Sequence, residues 1–327
     1  MNKTTTTTKI VLSASRRTDI PAFYLTWFMN RLDRGFFEVA NPVNNRVTRV
    51  PAGPDTVDSI VFWSKDFGRF LAEAVGEELR KRGYGLFFNF TVNSGSPLLE
   101  PRVPSLENRL DQLAALSRRF GPQAINWRFD PLCFYRKSGG SVENNLADFA
   151  VIARSAHHAG IRRCVTSFMD HYPKIRRRLA AVPGLAFVDP SPAEKAAILL
   201  KLETRLRPLQ IDLSTCCEKD ILQRLPAETK IRPSACISNT LLTDLYGGRI
   251  SLKRDRGQRR RQGCGCQVSV DVGSYRDQPC SHGCLFCYAN PCDSATVSRT
   301  GKARSGRCSA IPNGYHRKND PTCASAH

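Results

Sequence analysis

The strongest constraint on the fold is an alternation in which short apolar runs of strand type are separated by longer segments of helical period. The runs are residues 9–14, 59–64, 85–90, 124–129, 163–168, 209–214 and 267–272. Several are apolar almost throughout, as expected of parallel strands buried on both faces. The segments between them end at helix stop signals: 22–34 at Gly35, 67–82 at Gly83, a helix opened by Ser105 at Gly121, 142–159 at Gly160, and 192–206 at Arg207-Pro208. This βαβα order predicts an α/β fold with a parallel sheet. At 327 residues it predicts a full or partial (β/α) barrel of the TIM type. Residues 36–40 and 46–50 straddle Asn41-Pro42 and Asn44-Asn45 and predict a β-hairpin inserted after the first helix.

In such folds chemistry collects at the carboxyl ends of strands, and five consecutive runs here exit through polar residues. The exits are Ser13-Ala-Ser-Arg16-Arg17-Thr-Asp19, Trp63-Ser-Lys65-Asp66, Asn89-Phe-Thr-Val-Asn93, Trp127-Arg128-Phe-Asp130-Pro131 and Ser167-Phe-Met-Asp170-His171-Tyr172. Asp19 and Asp66 stand where helix caps stand. Caps need acceptors, so Arg16, Arg17, Lys65 and Arg128 call for another reason; grouped at a barrel mouth they would bind a carboxylate or phosphate. Asp130 and His171 complete the candidate rim. His157-His158, before Gly160, read as surface residues at a helix end.

Thirteen cysteines are unevenly placed. Cys280-Ser-His-Gly-Cys284-Leu-Phe286-Cys287 puts three thiols in one tight Gly-containing loop. Three thiolates can converge on one inorganic centre but leave a fourth position open. Upstream, Cys216-Cys217, Cys236 and Cys264-Gly-Cys266 supply enough thiolates for a closed second site, and Cys216, Cys236, Cys264 and Cys266 are its candidate ligands, for a cluster or a structural zinc. Cys133 and Cys164 read as core residues, and Cys308 and Cys323 as spectators.

Lys and Arg outnumber Asp and Glu by 49 to 29, a net +20 that favours polyanionic partners, nucleic acid among them. Part of the excess is local: residues 253–261 carry six bases against Asp255. The apolar run after the Thr-rich start is too short for a signal peptide, and nothing approaches the roughly 20 apolar residues of a membrane span. A cytosolic, non-membrane protein is expected, in which clustered cysteines serve metal or redox chemistry rather than disulfides. Four parts are expected: a disordered N-terminal tail (1–8), an α/β barrel (9–252), a basic loop with the last strand and the cysteine-rich segment (253–292), and a disordered basic tail (293–327).

The triplet spacing and Phe286 resemble the signature of the radical S-adenosylmethionine (SAM) superfamily, and His282-Gly-Cys-Leu-Phe-Cys-Tyr-Ala most resembles its spore photoproduct lyase and DNA repair photolyase branch. The ordered set SASRRTDIPAFY, VFWSKD, FNFTVN, LEPRVP, WRFDP, SFMDHYPK, CGC and DVGSY…HGCLFCYAN, over about residues 10–291, resembles the uncharacterised bacterial domain-of-unknown-function family numbered eighteen forty-eight. That family brings no established activity. The radical SAM resemblance implies a [4Fe–4S] cluster on Cys280, Cys284 and Cys287, SAM on its open iron, a reductant such as flavodoxin or ferredoxin, and a 5′-deoxyadenosyl radical that abstracts hydrogen from substrate. In that superfamily the triplet follows the first barrel strand; here it follows the last, so the resemblance implies a circularly permuted barrel. The superfamily's Gly-Gly-Glu motif is absent; Gly247-Gly248-Arg249 does not occupy its place. Two other classes fit the residues: a non-catalytic nucleic-acid-binding protein braced by zinc or a cluster, and an anion-binding barrel enzyme with a structural cluster. If the radical SAM reading holds, the cysteines near the end of the chain must lie beside the polar exit of the first strand.

Overall fold

Eight strands form one parallel sheet in the computed structural model, which describes residues 8–41 and 44–289 and, of Arg260, the backbone only. They are β1 (Ile10–Ala14), β2 (Val57–Ser64), β3 (Gly85–Thr91), β4 (Ile125–Leu132), β5 (Arg163–Phe168), β6 (Asp212–Thr215), β7 (Arg232–Pro233) and β8 (Val270–Asp271). Their spatial order is β8-β1-β2-β3-β4-β5-β6-β7, every neighbouring pair parallel. Each of the first six therefore lies beside its successor in sequence, and β8 returns to the outer edge of β1 with Leu12 opposite Val270 and Ser13 opposite Asp271. The described residues fall in one compact unit. The tails expected at 1–8 and 293–327, with Cys308 and Cys323, lie outside the described residues apart from Thr8.

The sheet is open, which corrects the expectation of a full barrel: among the described residues no ladder joins β7 to β8. Both are two residues long, and Pro233 lacks the N–H a ladder needs. Loop contacts span the opening instead, with Gln267 N donating to Ile237 O (3.0 Å) and Thr240 N to Gln267 Oε1 (3.0 Å).

The two faces of the sheet have different covers. Leu12, Ile60, Phe62, Phe88, Phe90, Trp127 and Phe129 join the main core with Phe28, Leu113, Phe149 and Leu199 from the surrounding helices. Phe62, Phe67, Phe70, Phe88 and Phe120 meet there in edge-on, stacked and tilted contacts with centroids 5.0–6.3 Å apart. On the other face Val11, Val61 and Phe87 pack against Ile237 and Leu242, the latter on the helix Asn239–Tyr246, so that helix plugs the sheet's second face. Towards the carboxyl ends that face is left open, and the polar exits gather around the opening.

Local signals placed most helices. Ser105 caps Leu106–Phe120, accepting from Asn108 N at 3.2 Å, and Ser191 with Glu194 forms a capping box for Pro192–Leu206. The hairpin forms from Phe36–Ala40 and Val47–Pro51. Ala74, left-handed at φ 52°, breaks the segment expected as one helix into Gly68–Ala72 and Val75–Lys81. The helix expected over 142–159 begins only at Phe149, because Glu143–Asn144 pairs with Phe134–Lys137 in a small antiparallel sheet that also holds Leu185–Val188. Tyr135 and Leu185 of that sheet pack against Cys284, Leu285 and Phe286.

Candidate functional site: a cysteine-lined cavity at the carboxyl edge of the sheet

A cavity of about 570 Å³ opens at the carboxyl ends of the strands. Arg16, Arg17, Lys65, Arg128 and Asp130 line it, together with Cys280, Cys284, Phe286 and Cys287, and with Cys216, Cys236, Cys264 and Cys266. Of the rim residues expected from sequence, His171 alone lies outside the lining, between Asp170 and Tyr172, which are part of it. The loop near the end of the chain thus lies beside the exit of the first strand. The cause is the β1–β8 pairing, which delivers the chain into this cavity immediately before the triplet.

Asp271, at the end of β8, ties the exit of β1 in place. It accepts from Ser13 Oγ (3.0 Å), Ser15 Oγ (2.5 Å), Arg16 N (2.7 Å) and Gly273 N (3.1 Å), and stands 3.8 Å from Arg17 Nε. Asp19 does more than cap its helix. Besides Ala22 N (3.1 Å) it accepts from Ser64 Oγ (2.7 Å) and Lys65 N (2.9 Å), and it lies 2.8 Å from His282 Nε2 inside the cysteine loop. One buried carboxylate therefore joins the exits of β1 and β2 to the triplet.

The loop's backbone is held from three more sides. Arg178 Nη1 donates to the carbonyls of Cys284 (3.1 Å), Leu285 (2.8 Å) and Cys287 (3.0 Å). Arg102 Nε donates to Ser281 O, and Leu285 N donates to Leu99 O at 2.9 Å. Tyr24 Oη donates to Pro279 O at 2.7 Å. Gly283 has φ +71°, a conformation that favours glycine, and a Cβ there would stand 2.7 Å from Arg102 Nη2, so a larger residue between the histidine and the second cysteine would be strained and would push Arg102 aside. Burial pushes the Cys280 thiol up to about 12 and Cys284 well above its ordinary value, with Lys65 opposing the latter.

Most of the rim cations are already paired. Lys65 Nζ lies 2.5 Å from Glu100 Oε1 and 5.4 Å from the centre of the Phe286 ring. Arg128 reaches Asp130 Oδ2 (2.5 Å) and Cys236 Sγ (2.7 Å) and lies over Trp63 at 5.1 Å. Burial pushes the Asp130 carboxyl up, but Arg128 and Ser167 outweigh it and hold it below the usual range. Arg259 pairs with Asp170, and Arg17 donates to Gly273 O (3.0 Å) and Ala40 O (3.3 Å). Among the described residues, Arg16 and Lys174 are lining cations with no carboxylate at ion-pair distance. Arg16 lies over Trp63 at 5.5 Å, and Lys174 lies 5.7 and 5.9 Å from the Tyr275 and Tyr288 rings.

The four upstream cysteines do come together, and Cys217 joins them. Among the described residues, however, no three His, Cys, Asp or Glu side chains converge as a single metal ion requires. Cys133 and Cys164 are fully buried core residues, as expected. Sequence reasoning missed Arg178, Arg102, Asp271 and the Asp19–His282 pair. For Asp271 a signal existed in its place at the end of the last strand. Arg178 offered none, since nothing separates it from Arg176 and Arg177 in the helix Pro173–Leu179.

Fold and site define a parallel α/β protein with a cysteine-lined cavity at the carboxyl edge of its sheet. The chain belongs to the family described as Domain of unknown function (DUF1848), whose model matches residues 11–289. No curated protein matches it. No helix among the described residues is long and apolar enough to cross a membrane.

Proposed function

We propose that this protein is a radical SAM-type enzyme whose [4Fe–4S] cluster is held by Cys280, Cys284 and Cys287, on a partial barrel that is a circular permutation of the usual one. The observation that carries the reading is the shared cavity: a three-cysteine loop near the end of the chain faces the polar exits of its first two strands. The loop's residues fit the group. Three thiols from one tight turn line one cavity, and their backbone is fixed by Arg178, Arg102 and Asp19–His282.

Bound there, the cluster would supply one electron to cleave SAM into methionine and a 5′-deoxyadenosyl radical. The chain's own residues bind and orient. Arg16 and Lys174, the lining cations with no carboxylate at ion-pair distance among the described residues, are suited to the carboxylate of SAM or an anionic group of the substrate. Trp63, Tyr275 and Tyr288 provide flat apolar surface beside them, and Phe286 with the small sheet's Tyr135 and Leu185 keeps water from the thiol loop. Lys65 balances the charge that a thiolate at Cys284 carries. The net charge of +20 favours a polyanionic substrate such as nucleic acid.

Purified without oxygen, the protein should be brown and carry iron and sulfide. With reductant and SAM it should release 5′-deoxyadenosine, and Cys284→Ala should abolish that release. A colourless protein with stoichiometric zinc would sink the proposal.

A further inference from the structure

One wall of the cysteine-lined cavity is built unlike the others. From Lys253 to Gly263 the chain reads Lys-Arg-Asp-Arg-Gly-Gln-Arg-Arg-Arg-Gln-Gly, with no apolar residue, and none of its described side chains is buried. It leaves and rejoins the body at one root, where Val268 N donates to Lys253 O (2.9 Å) and Asp255 N to Cys266 O (2.9 Å). Within it, Cys264 N donates to Arg259 O (3.1 Å), and Asp255 accepts from Gly257 N (2.9 Å) and Gln258 Nε2 (3.2 Å). The segment is a strap that holds its own shape without being packed into the core. It also stands between two cavities: Gly257, Gln258 and Arg259 line the first, Arg261 and Gln262 line a second of about 760 Å³, and Cys217 lines both.

Across the first cavity the strap meets the exit of β5 through one side chain. Arg259 Nη1 donates to Asp170 Oδ2, and to Tyr172 Oη at 3.3 Å. The Arg259 side chain is 38% exposed and that of Asp170 49%. An ion pair so open to water is screened by salt and contributes little. The turn of Cys280–Cys287, on the same cavity, is held quite differently, by three carbonyl bonds from buried Arg178 and by the packing of Leu285 and Phe286. A segment with no buried apolar side chain and one exposed contact to the opposite wall opens at a far lower free energy than the body that carries it.

We propose that residues 255–262 form a lid on the cysteine-lined cavity, latched by Arg259 on Asp170 and Tyr172, and that ligands enter when the latch releases. Release takes Gly257, Gln258 and Arg259 out of the lining and opens the first cavity toward the second. The lid rests on the cavity alone and is independent of the cofactor proposed for Cys280, Cys284 and Cys287.

The test is the rate at which a bulky neutral maleimide labels Cys217, Cys264 and Cys266 in the full chain, read by mass spectrometry, with the fully buried Cys133 as control. Asp170→Asn and Arg259→Gln should each raise that rate about two- to five-fold, the range that losing one exposed ion pair allows. High salt should speed labelling of wild type by a similar factor and leave both variants unchanged. The two variants separate opening from thiol reactivity. Removing a negative and removing a positive charge shift the ionisation of a neighbouring thiol in opposite directions, whereas both release the latch. Equal rates in wild type and both variants would make the strap a fixed wall, and rates that move in opposite directions would reduce the effect to local charge; either result overturns the lid. Labelling of Cys133 in step with the cavity thiols would mean a general loosening of the fold and would overturn it too. None of these outcomes depends on iron, so a failed lid leaves the cluster reading standing, and a chain found to hold no cluster still tests the lid.

Discussion

The two cysteine sets face one cavity but are assembled in opposite ways. Cys280, Cys284 and Cys287 come from a single turn whose backbone is pinned by side chains from elsewhere: Arg178 on three carbonyls, Arg102 on a fourth, Asp19 on His282. Cys216, Cys217, Cys236, Cys264 and Cys266 come from three segments that the fold brings to the same cavity, where Cys216 Sγ lies 3.6 Å from Cys217 Sγ and 3.7 Å from Cys236 Sγ. The first is a local motif with a tertiary scaffold; the second exists only as tertiary structure. In the first, one scaffold residue should control all three thiols together. In the second, each thiol and its neighbouring cation should be separately replaceable.

The largest effect is expected beside the upstream cysteines. Asp130→Asn removes the carboxylate that balances the buried Arg128, and breaking such a pair costs about 3–5 kcal/mol. Because the carboxyl of Asp130 is held below its ordinary value, its contribution is present above the unfolded pKa and is lost as pH falls through the lowered folded value. Chemical denaturation across the acid range should show wild type converging on the variant at low pH; parallel curves would refute the pairing.

Next comes Arg178→Ala, which strips three backbone carbonyls of their donor and should cost about 2–4 kcal/mol. If the triplet is governed by its scaffold, this change should also remove iron from anaerobically reconstituted protein as completely as losing Cys280, Cys284 and Cys287 does. Iron retained at the wild-type level would mean that the turn keeps its shape without that scaffold.

Asp19→Asn tests the link between the triplet and the first strand. It weakens the contacts to Lys65 N and His282 and should cost about 1–3 kcal/mol by denaturation, with the iron held at the triplet lowered. The smallest effect, about 1–2 kcal/mol, is expected of Gly283→Ala, which forces a Cβ into a left-handed residue facing Arg102. A variant as stable as wild type would mean that the turn can relax away from Arg102.

Much of the sheet was legible because its strands are apolar and its helices carry their own punctuation. Arg163–Phe168 and Pro192–Leu206 fall where the pattern put them. β7 was not legible: Arg-Pro at an edge has neither apolar run nor alternation. The helix expected from 142 was overridden when Glu143–Asn144 paired with a strand whose own pattern was too short to stand out. At the site, the triplet and the rim residues were visible as motifs and as cations in places where caps would be acidic. That most of those cations are neutralised by Glu100, Asp130 and Asp271 was not visible, since side-chain packing sets each pairing.

By itself the sequence determined the βαβα alternation, the helix ends and the Cys280-x-x-x-Cys284-x-x-Cys287 spacing, because each depends on interactions within a few residues. Tertiary structure alone decided that β8 lies against β1, that the sheet stays open with a helix across its second face, and that five cysteines from three segments line one cavity. The first of these joins residues 258 positions apart, as Ser13 and Asp271 are. No local pattern specifies which distant partner wins; buried area and the pairing of buried polar groups do.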